Sequence, residues 1–293
     1  MSSLIRYLAR QEQLNFLLTN RIPRRLLTQF MGWYSRLNSP LLTRLSISLW
    51  RLFASDLNLK EARTQTYNSL HECFIRELKP GSRKVDPGED IVTSPCDAIV
   101  GACGQIMQQS VFQAKGFPYE MSDLIPDPDI CSKLENGIFV TLRLKSSMYH
   151  RFHAPVDCRV TDVTYISGDT WNVNPIALKR IEKLYCKNER AVIELHTDQQ
   201  GAHLVMVPVA AILVASMKFH CLQNTLDLSY QGPNHIPCNA SYQKGEEMGY
   251  FQHGSTIILF ASPCYQLADG ISNGAEIRMG QALLQKKENS QLL

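Results

Sequence analysis

Three short stretches of the sequence combine side chains that could transfer protons or attack a carbonyl group. They are residues 94–98 (SPCDA), 149–155 (YHRFHAP) and 250–256 (YFQHGST). Each stretch also has an ordinary structural interpretation: a turn aspartate, a pair of structural histidines, and a Gly-Ser-Thr turn before a strand. The chemistry therefore depends on whether the three stretches act together.

The third stretch places a hydroxyl beside a peptide bond that it could attack. Gly254 can adopt backbone conformations that expose its carbonyl group, and Ser255 lies on the other side of the same peptide bond. A neighbouring base would let the Ser255 hydroxyl attack the Gly254 carbonyl. The amide would become an ester, and elimination would then break the chain.

The histidines of the second stretch, His150 and His153, are spaced i, i+3. Their side chains would point the same way on a helix and opposite ways on a strand. Metal binding is one interpretation, but no other cluster of Cys and His in the sequence supplies the remaining ligands. We therefore predict no metal site here.

The three stretches recur in the same order in phosphatidylserine decarboxylases, and the chain resembles that family over about residues 70–285. Further blocks resemble the family's entry segment, its middle blocks and the run that leads to its cut site. These blocks are residues 74–83 (FIRELKPGSR), 173–175 (VNP), 188–190 (NER) and 244–249 (KGEEMG). Each block is weakly specific, whereas the ordered set is strongly specific.

The resemblance implies a proenzyme that cleaves itself between Gly254 and Ser255 with a triad of Asp97, His153 and Ser255. In that role His153 would remove the hydroxyl proton of Ser255, and Asp97 would orient the imidazole and stabilise its charged form. Ser255 would become a covalent pyruvoyl group. His150 is the candidate for handling the substrate carboxylate or the returning proton.

The resemblance also implies the products and the partners. Cleavage would give a β chain of residues 1–254 and an α chain of residues 255–293. The pyruvoyl group would form a Schiff base with the amine of phosphatidylserine and act as an electron sink while CO2 leaves, so that phosphatidylethanolamine is released. A homodimer of cleaved protomers is expected from the family.

The chain departs from the family pattern at Cys96, Ala98, Ser167 and His253, and two of these departures bear on the chemistry. Ala98 stands where the family has a glycine after the aspartate, which raises the question of a backbone angle that alanine resists. His253 stands where bacterial members more often have an apolar residue. A titratable group beside the scissile bond could alter the pH dependence of cleavage.

The first sixty or so residues are predicted to be helical, because apolar residues recur on one helical face in two segments. Ser39 and Pro40 are typical of the N-cap and the first residue of the second helix. The apolar positions are Leu26, Leu27, Phe30, Met31, Tyr34 and Leu37, followed by Leu41, Leu42, Leu45, Leu49, Leu52 and Phe53.

Beyond residue 81, short β-type segments alternate with turns. The sequence therefore predicts an α+β fold, with N-terminal amphipathic helices in residues 1–65 and a mostly antiparallel β catalytic body in residues 66–293. A short helix is predicted within residues 171–186. The predicted strand segments, of which 204–217 could form one or two strands, are residues 98–107, 137–144, 159–165, 191–196, 204–217 and 256–260.

The charge is distributed unevenly along the chain. Residues 1–60 hold nine Lys and Arg against two acidic residues, a net charge of +7, whereas the whole chain carries +3. The small total gives no reason to expect a nucleic acid partner. Basic residues beside apolar faces favour helices that lie in the headgroup region of an anionic membrane surface. Packing of the same helices on the catalytic body is the alternative.

Compartment is inferred from cysteines and from apolar runs. Nine cysteines without a CxxC pair suit reduced thiols that face the cytosol. No apolar run reaches the roughly 18 residues of a membrane span. We therefore expect a peripheral protein on the cytoplasmic side of a bacterial cell membrane, where an anionic substrate lipid resides.

Three other functions compete with self-cleavage and lipid decarboxylation. A serine hydrolase could use Asp97, His153 and Ser255 on an intact chain, but the GxSxG pattern is absent around Ser255. A non-catalytic membrane-binding protein would need only residues 1–60. A decarboxylase of a free amino acid would not need a basic region that faces lipid.

Overall fold

The computed structural model of the chain describes most of the sequence. The predicted helical segment before residue 23 and the residues His253 and Gly254 lie outside the described residues. The residues that the structure describes are 23–54, 56–107, 110–114, 117–199, 201–212, 216–252 and 255–287.

Two helices, α1 (Arg24–Ser35) and α2 (Pro40–Phe53), form the N-terminal part of the described chain. Ser39 caps α2 as the sequence predicts, because its hydroxyl accepts a hydrogen bond from the Leu42 N–H and Pro40 follows at the first helical position. None of the helices within the described ranges combines the length and the apolar character needed to cross a bilayer.

Both helices keep many of their large apolar side chains exposed, while their buried positions include Thr28, Ser35, Thr43 and Ile47. Besides this exposed apolar face, Ile47 packs with Leu59 and Cys73, so the helices show features of both interpretations. The exposed apolar side chains are Leu26, Phe30, Trp33, Leu41, Leu45, Leu49, Leu52 and Phe53.

The two helices are joined to the rest of the chain by polar and aromatic contacts. Arg24 pairs with Asp169 at 2.6 Å and lies over the ring of Trp171 at 3.6 Å. Arg36 donates a hydrogen bond of 2.7 Å to Gln252, immediately before the segment that contains the predicted cut site. The helical region is therefore attached close to that segment.

The remaining elements follow in chain order. The helices are α3 (Leu70–Phe74), α4 (Met121–Leu124), α5 (Pro128–Lys133), α6 (Pro175–Leu178) and α7 (Leu184–Lys187). The first strands are β1 (Ile91–Thr93), β2 (Ala98–Gln105), β3 (Ser110–Ala114), β4 (Phe117–Glu120), β5 (Ile138–Leu144), β6 (Arg151–His153), β7 (Cys158–Ile166), β8 (Arg190–Leu195) and β9 (Leu204–Ala210). The later strands are β10 (Ser216–Phe219), β11 (Leu226–Asp227), β12 (His235–Tyr242), β13 (Glu247–Phe251), β14 (Ser255–Ala261), β15 (Tyr265–Leu267), β16 (Glu276–Ile277) and β17 (Ala282–Lys286).

The described strands form antiparallel sheets around one large sheet with the order β12-β7-β8-β9-β14-β5-β2-β16. A four-stranded sheet has the order β11-β10-β13-β6, and a three-stranded sheet has the order β1-β17-β15. Strands β3 and β4 form a hairpin. With the few short helices, this architecture confirms the predicted α+β class.

Each face of the large sheet packs against its own core. Along β14, Ile257 and Leu259 belong to a core shared with Phe152 and Phe251 of the four-stranded sheet. Ile258 belongs instead to the core on the opposite face, beneath the short helices. This alternation is the expected two-residue period of a strand that is covered on both faces.

A smaller apolar cluster joins the predicted helical region to the predicted catalytic body. It consists of Ile47, Leu59, Ala62, Tyr67 and Cys73. The cluster therefore spans the predicted boundary between residues 65 and 66, which stays a prediction.

Candidate active site

Ser255 and Asp97 lie at the same end of the large sheet. Ser255 is the first residue of β14 and pairs with Leu144, the last residue of β5. Asp97 immediately precedes β2, which pairs with β5 on its other side. Two strand spacings separate β14 from β2, so the two backbones are about 10 Å apart.

The side chain of Ser255 belongs to the face that the four-stranded sheet covers. Ser255 has the same parity along β14 as Ile257 and Leu259, which pack into the core shared with that sheet. Strand β6 of that sheet ends at His153. The fold thus brings the predicted nucleophile and the predicted base to facing layers.

His153 is buried and held in one tautomer. Its Nδ1 lies 2.9 Å from the carbonyl oxygen of Gly245, which can only accept, so Nδ1 carries the proton. Nε2 is then an acceptor, and the hydroxyl of Tyr149 donates to it over 3.0 Å. Burial lowers the pKa of His153, so the imidazole is neutral in this arrangement.

Asp97 is bound by Arg83 rather than by His153. The guanidinium of Arg83 contacts both carboxylate oxygens of Asp97, one of them at 2.8 Å, and the backbone N–H of Met279 donates to the same carboxylate at 2.9 Å. Burial alone would lower the pKa of Arg83, but the hydrogen bonds to Asp97 raise that pKa above its ordinary value. No hydrogen bond joins Asp97 to His153 in the described residues, and the triad role of Asp97 stays a prediction.

Ala98 adopts regular strand geometry at the start of β2 and is fully buried. The non-glycine residues with positive φ in the described chain are Asn136 and Lys183. The alanine at this position therefore needs no backbone angle that would require glycine.

His150 is completely buried beside the end of β13. Its carbonyl oxygen accepts a hydrogen bond from the N–H of Phe251, the last residue of that strand. Its Nδ1 donates to the carbonyl oxygen of Met148 at 2.9 Å, and its ring packs on Phe74 with centroids 4.1 Å apart. Burial and the nearby cation of Arg76 lower the pKa of His150 to about 3.

The Nε2 atom of His150 and the hydroxyl of Ser255 share an unusual property. Both are buried, and neither has a hydrogen-bond partner among the described residues. Buried polar atoms are normally paired, and an unpaired one calls for an explanation. The predicted roles of His150 and Ser255 would account for these two atoms, although the hydroxyls of Tyr119 and Thr141 are also buried without a partner in the described ranges.

The donor set fits a group made from the chain itself better than a metal. Within the described ranges, no group of three or more His, Cys, Asp and Glu is placed to hold a metal ion. Ser255 instead begins a strand paired on both sides and lines a cavity, so a carbonyl group formed at this residue would be held rigidly. The residues present thus fit the pyruvoyl group that the resemblance implies.

Two residues of the site, Arg83 and Tyr149, were not predicted from the sequence. Tyr149 directly precedes His150, and Arg83 ends one of the blocks that carry the resemblance. Arg83 and Asp97 are 14 positions apart, and Tyr149 and His153 are four apart, but no local sequence pattern indicates that these side chains meet. Their contacts with Asp97 and His153 become apparent only in the structure.

Comparisons with known proteins identify the family of the chain. The family profile for phosphatidylserine decarboxylase matches residues 70–285. The phosphatidylserine decarboxylase proenzyme of Brevibacillus brevis is 32% identical over 275 residues, which cover 92% of this chain and 97% of that protein. The proenzyme of the same name from Shewanella amazonensis is 33% identical over 276 residues, which cover 89% of this chain and 94% of that protein. The chain therefore belongs to the phosphatidylserine decarboxylase family.

Proposed function

We propose that this protein is made as a proenzyme, cleaves its own Gly254–Ser255 bond, and decarboxylates phosphatidylserine to phosphatidylethanolamine and CO2. The observation that carries this proposal is the unpaired, fully buried hydroxyl of Ser255 at the first residue of β14. Membership of the family and the presence of two neutral histidines in the adjacent layer support it.

Self-cleavage begins with proton removal from the Ser255 hydroxyl by His153. The oxygen attacks the Gly254 carbonyl carbon, and the C–N bond breaks as the protonated His153 gives its proton to the leaving nitrogen of residue 255. The chain is then carried by an ester through the Ser255 oxygen. Loss of the Cα proton then breaks the Cβ–O bond, which frees the Gly254 carboxylate. Water releases ammonia from the remaining dehydroalanine and leaves a pyruvoyl group at residue 255.

His153 can act as the base because its burial keeps it neutral. Tyr149 must first release Nε2, since the tyrosine hydroxyl now donates to that atom. Asp97 would stabilise the charged imidazole after Arg83 yields one of its contacts.

The pyruvoyl carbonyl supplies the chemistry of decarboxylation, since it can condense with an amine and accept the electron pair that CO2 leaves behind. We assign the proton movements to His150. Its Nδ1 proton is held by Met148, so its Nε2 can only accept a proton. It could therefore take a proton from the substrate amine and return it to carbon after CO2 has left.

We further propose that α1 and α2 dock the protein on the membrane that holds its substrate. Their exposed leucines and aromatic residues could enter the headgroup region, and Arg44 and Arg51 are exposed beside them to attract anionic lipid. This docking would place a peripheral enzyme on the cytoplasmic side of a bacterial cell membrane.

The family resemblance also predicts a homodimer of cleaved protomers. Light scattering during size-exclusion chromatography would measure the mass of the assembly. A mass close to twice that of one precursor would agree with this prediction.

A serine hydrolase that keeps its chain intact is less well supported. It would use the same three residues, but the GxSxG pattern of such hydrolases is absent around Ser255.

An intact mass spectrum of the purified full-length chain tests the proposal. We expect two species, residues 1–254 and a pyruvoyl-blocked 255–293, and a Ser255→Ala chain that stays whole. The exposed Ser241 provides a matched control, since Ser241→Ala should still be cut. A folded wild-type chain that stays whole would refute self-cleavage, and a cut chain that releases no CO2 from phosphatidylserine would refute the assigned substrate.

A further inference from the structure

A cavity of about 460 Å³ lies between Ser255 and the C-terminal end of α2. This volume is within the range of sites that bind small polar molecules. Its lining includes Phe53 at the end of α2, Asp56, Arg143, Lys145 and Asn172, together with Ser255. It therefore connects the residue that would carry the reactive group with the helix that carries exposed apolar side chains.

The two cations of this cavity differ in their partners. The ammonium group of Lys145 pairs with Asp56 at 2.6 Å and with Glu276 at 3.4 Å. Arg143 is half-buried and interacts electrostatically with Tyr185, but its guanidinium makes no hydrogen bond or ion pair with the residues that the structure describes. Arg stays protonated under all ordinary conditions.

A half-buried cation without a partner lowers the stability of the fold, because its desolvation is not offset. The position of Arg143 is set by strand pairing, since it lies opposite Thr256 on β14 and Ile99 on β2. Strand pairing thus fixes the positive charge of Arg143 beside Thr256, the residue after Ser255. A negatively charged ligand would supply the missing partner.

We propose that Arg143 binds the phosphodiester group of the substrate headgroup. This inference rests on the proposed function and names the residue that recognises the substrate at the same site. The guanidinium offers paired N–H donors that match two phosphate oxygens. The Lys145 charge is already neutralised by carboxylates, which leaves Arg143 to supply the positive charge that a headgroup of net charge minus one requires.

The phosphodiester is a better partner for Arg143 than the serine carboxylate. The carboxylate loses its charge when CO2 leaves, so a strong ion pair with it would stabilise the substrate more than the transition state. The phosphodiester keeps its charge throughout the reaction. It also links the serine to the acyl chains, which would leave the cavity past the exposed side chain of Phe53.

Titrations of the uncleaved Ser255→Ala chain test this assignment without any need for catalysis. The probes are glycerophosphoserine, glycerophosphoethanolamine, which lacks the carboxylate, and ethanolamine, which lacks the phosphate, each followed by NMR. Adding Arg143→Gln should weaken binding of both phosphodiesters about tenfold to a hundredfold, the usual range for a hydrogen bond to a charged group. Arg143→Lys should restore part of the affinity.

Arg159→Gln is the matched control, because Arg159 is exposed on β7 outside the cavity. It should leave both affinities unchanged. Thermal unfolding of the Arg143→Gln chain adds a second reading: removal of an unpaired cation should leave the melting temperature equal or higher. A loss of affinity that comes from unfolding of the Arg143→Gln chain would therefore be recognised by its lower melting temperature.

Equal binding of the phosphodiesters with and without Arg143 would overturn the proposal, as would the absence of binding by the Ser255→Ala chain. A loss confined to glycerophosphoserine would also overturn it, because Arg143 would then pair with the carboxylate.

In matured protein, we expect Arg143→Gln to raise the KM for phosphatidylserine at least tenfold, with kcat calculated per cleaved chain. A wild-type chain that matures but does not decarboxylate the lipid would refute the proposed function, while the titrations would still decide the ligand of Arg143.

Discussion

The hydroxyl of Tyr149 donates a hydrogen bond to Nε2 of His153 over 3.0 Å, while Nδ1 of the same ring donates to the carbonyl oxygen of Gly245. Both ring nitrogens are thus engaged in the uncleaved chain. The lone pair that a general base needs is occupied by the tyrosine. The Gly245 carbonyl therefore fixes the tautomer of His153, and in the proposed role of His153 as a base the Tyr149 hydroxyl would restrain its reactivity.

Replacing Tyr149 with Phe should speed self-cleavage. The change removes one hydrogen bond to Nε2, with a net value of about 1 kcal/mol, which corresponds to about fivefold in rate. Newly synthesised chain would be sampled over time and the cleaved fraction measured by intact mass. Tyr119→Phe is the control, because the Tyr119 hydroxyl is buried but has no partner among the described residues. Slower cleavage of Tyr149→Phe would instead mean that the tyrosine orients the base productively.

Replacing Arg83 with Gln should destabilise the uncleaved chain by about 3 kcal/mol, because Asp97 would keep its charge without its cation. The side chains of Arg83 and Asp97 are only 8% and 11% exposed. Urea unfolding in the Ser255→Ala background measures this difference. Arg63→Gln is the matched control, since the Arg63–Glu77 pair is exposed and should contribute less than about 1 kcal/mol. The double change Arg83→Gln with Asp97→Asn should recover part of the loss, and a single Arg83→Gln change without effect would contradict the prediction.

Buried His150 should make the uncleaved chain less stable in acid. Its pKa is about 3 when folded and near 6.5 when unfolded, so between these values the unfolded chain binds more protons. The free energy of unfolding therefore rises with pH through this window and is lowered by about 2 kcal/mol at pH 5. In the Ser255→Ala background, His150→Gln should reduce the difference between urea midpoints at pH 7 and pH 5. The exposed His235, changed to Gln, should leave that difference unaltered; an equal effect of both changes would contradict the assignment.

The exposed leucines of α2 should determine how tightly the protein binds anionic vesicles. Leu45, Leu49 and Leu52 are each more than half exposed, and burying such side chains contributes roughly 25 cal/mol for each Å² removed from water. Changing all three to Ser should weaken binding to vesicles that contain phosphatidylserine at least tenfold in a sedimentation assay. Met107→Ser, which alters an exposed apolar residue outside the two helices, should have no effect. Unchanged vesicle binding by the triple variant would remove α2 from the docking surface.

The buried strands of the large sheet were predictable because their apolar character is strong and local. The predicted segments 137–144 and 256–260 correspond closely to β5 and β14, and segment 204–217 divides into β9 and β10. Strand β12 was missed because it lies at the edge of the sheet, contains Pro237, and has mostly exposed or half-buried residues. Its pairing with β7 depends on tertiary contacts that local patterns do not encode.

The candidate residues of the site were predicted from the sequence, whereas their contacts were not. Asp97, His150, His153 and Ser255 were identified from ordered blocks that resemble one family. The hydrogen bonds of His153 to Gly245 and of Asp97 to Met279 join residues that are 92 and 182 positions apart. Because these partners are so far apart along the chain, sequence patterns could suggest the candidate residues but could not predict the hydrogen bonds that they make in the precursor.

Strand β14 lies between β9 and β5, in the interior of the large sheet, and the segment that follows it contributes β16 to the same sheet and β15 and β17 to another. A cut before Ser255 would therefore divide the backbone without separating two bodies, since the short fragment would remain woven through the long one by backbone hydrogen bonds. Folding has to precede cutting, because a severed fragment of this kind would need to insert itself between strands that are already formed. A native gel should show one particle where a denaturing gel shows two polypeptides, and denatured mature protein should refold far less efficiently than its uncut precursor.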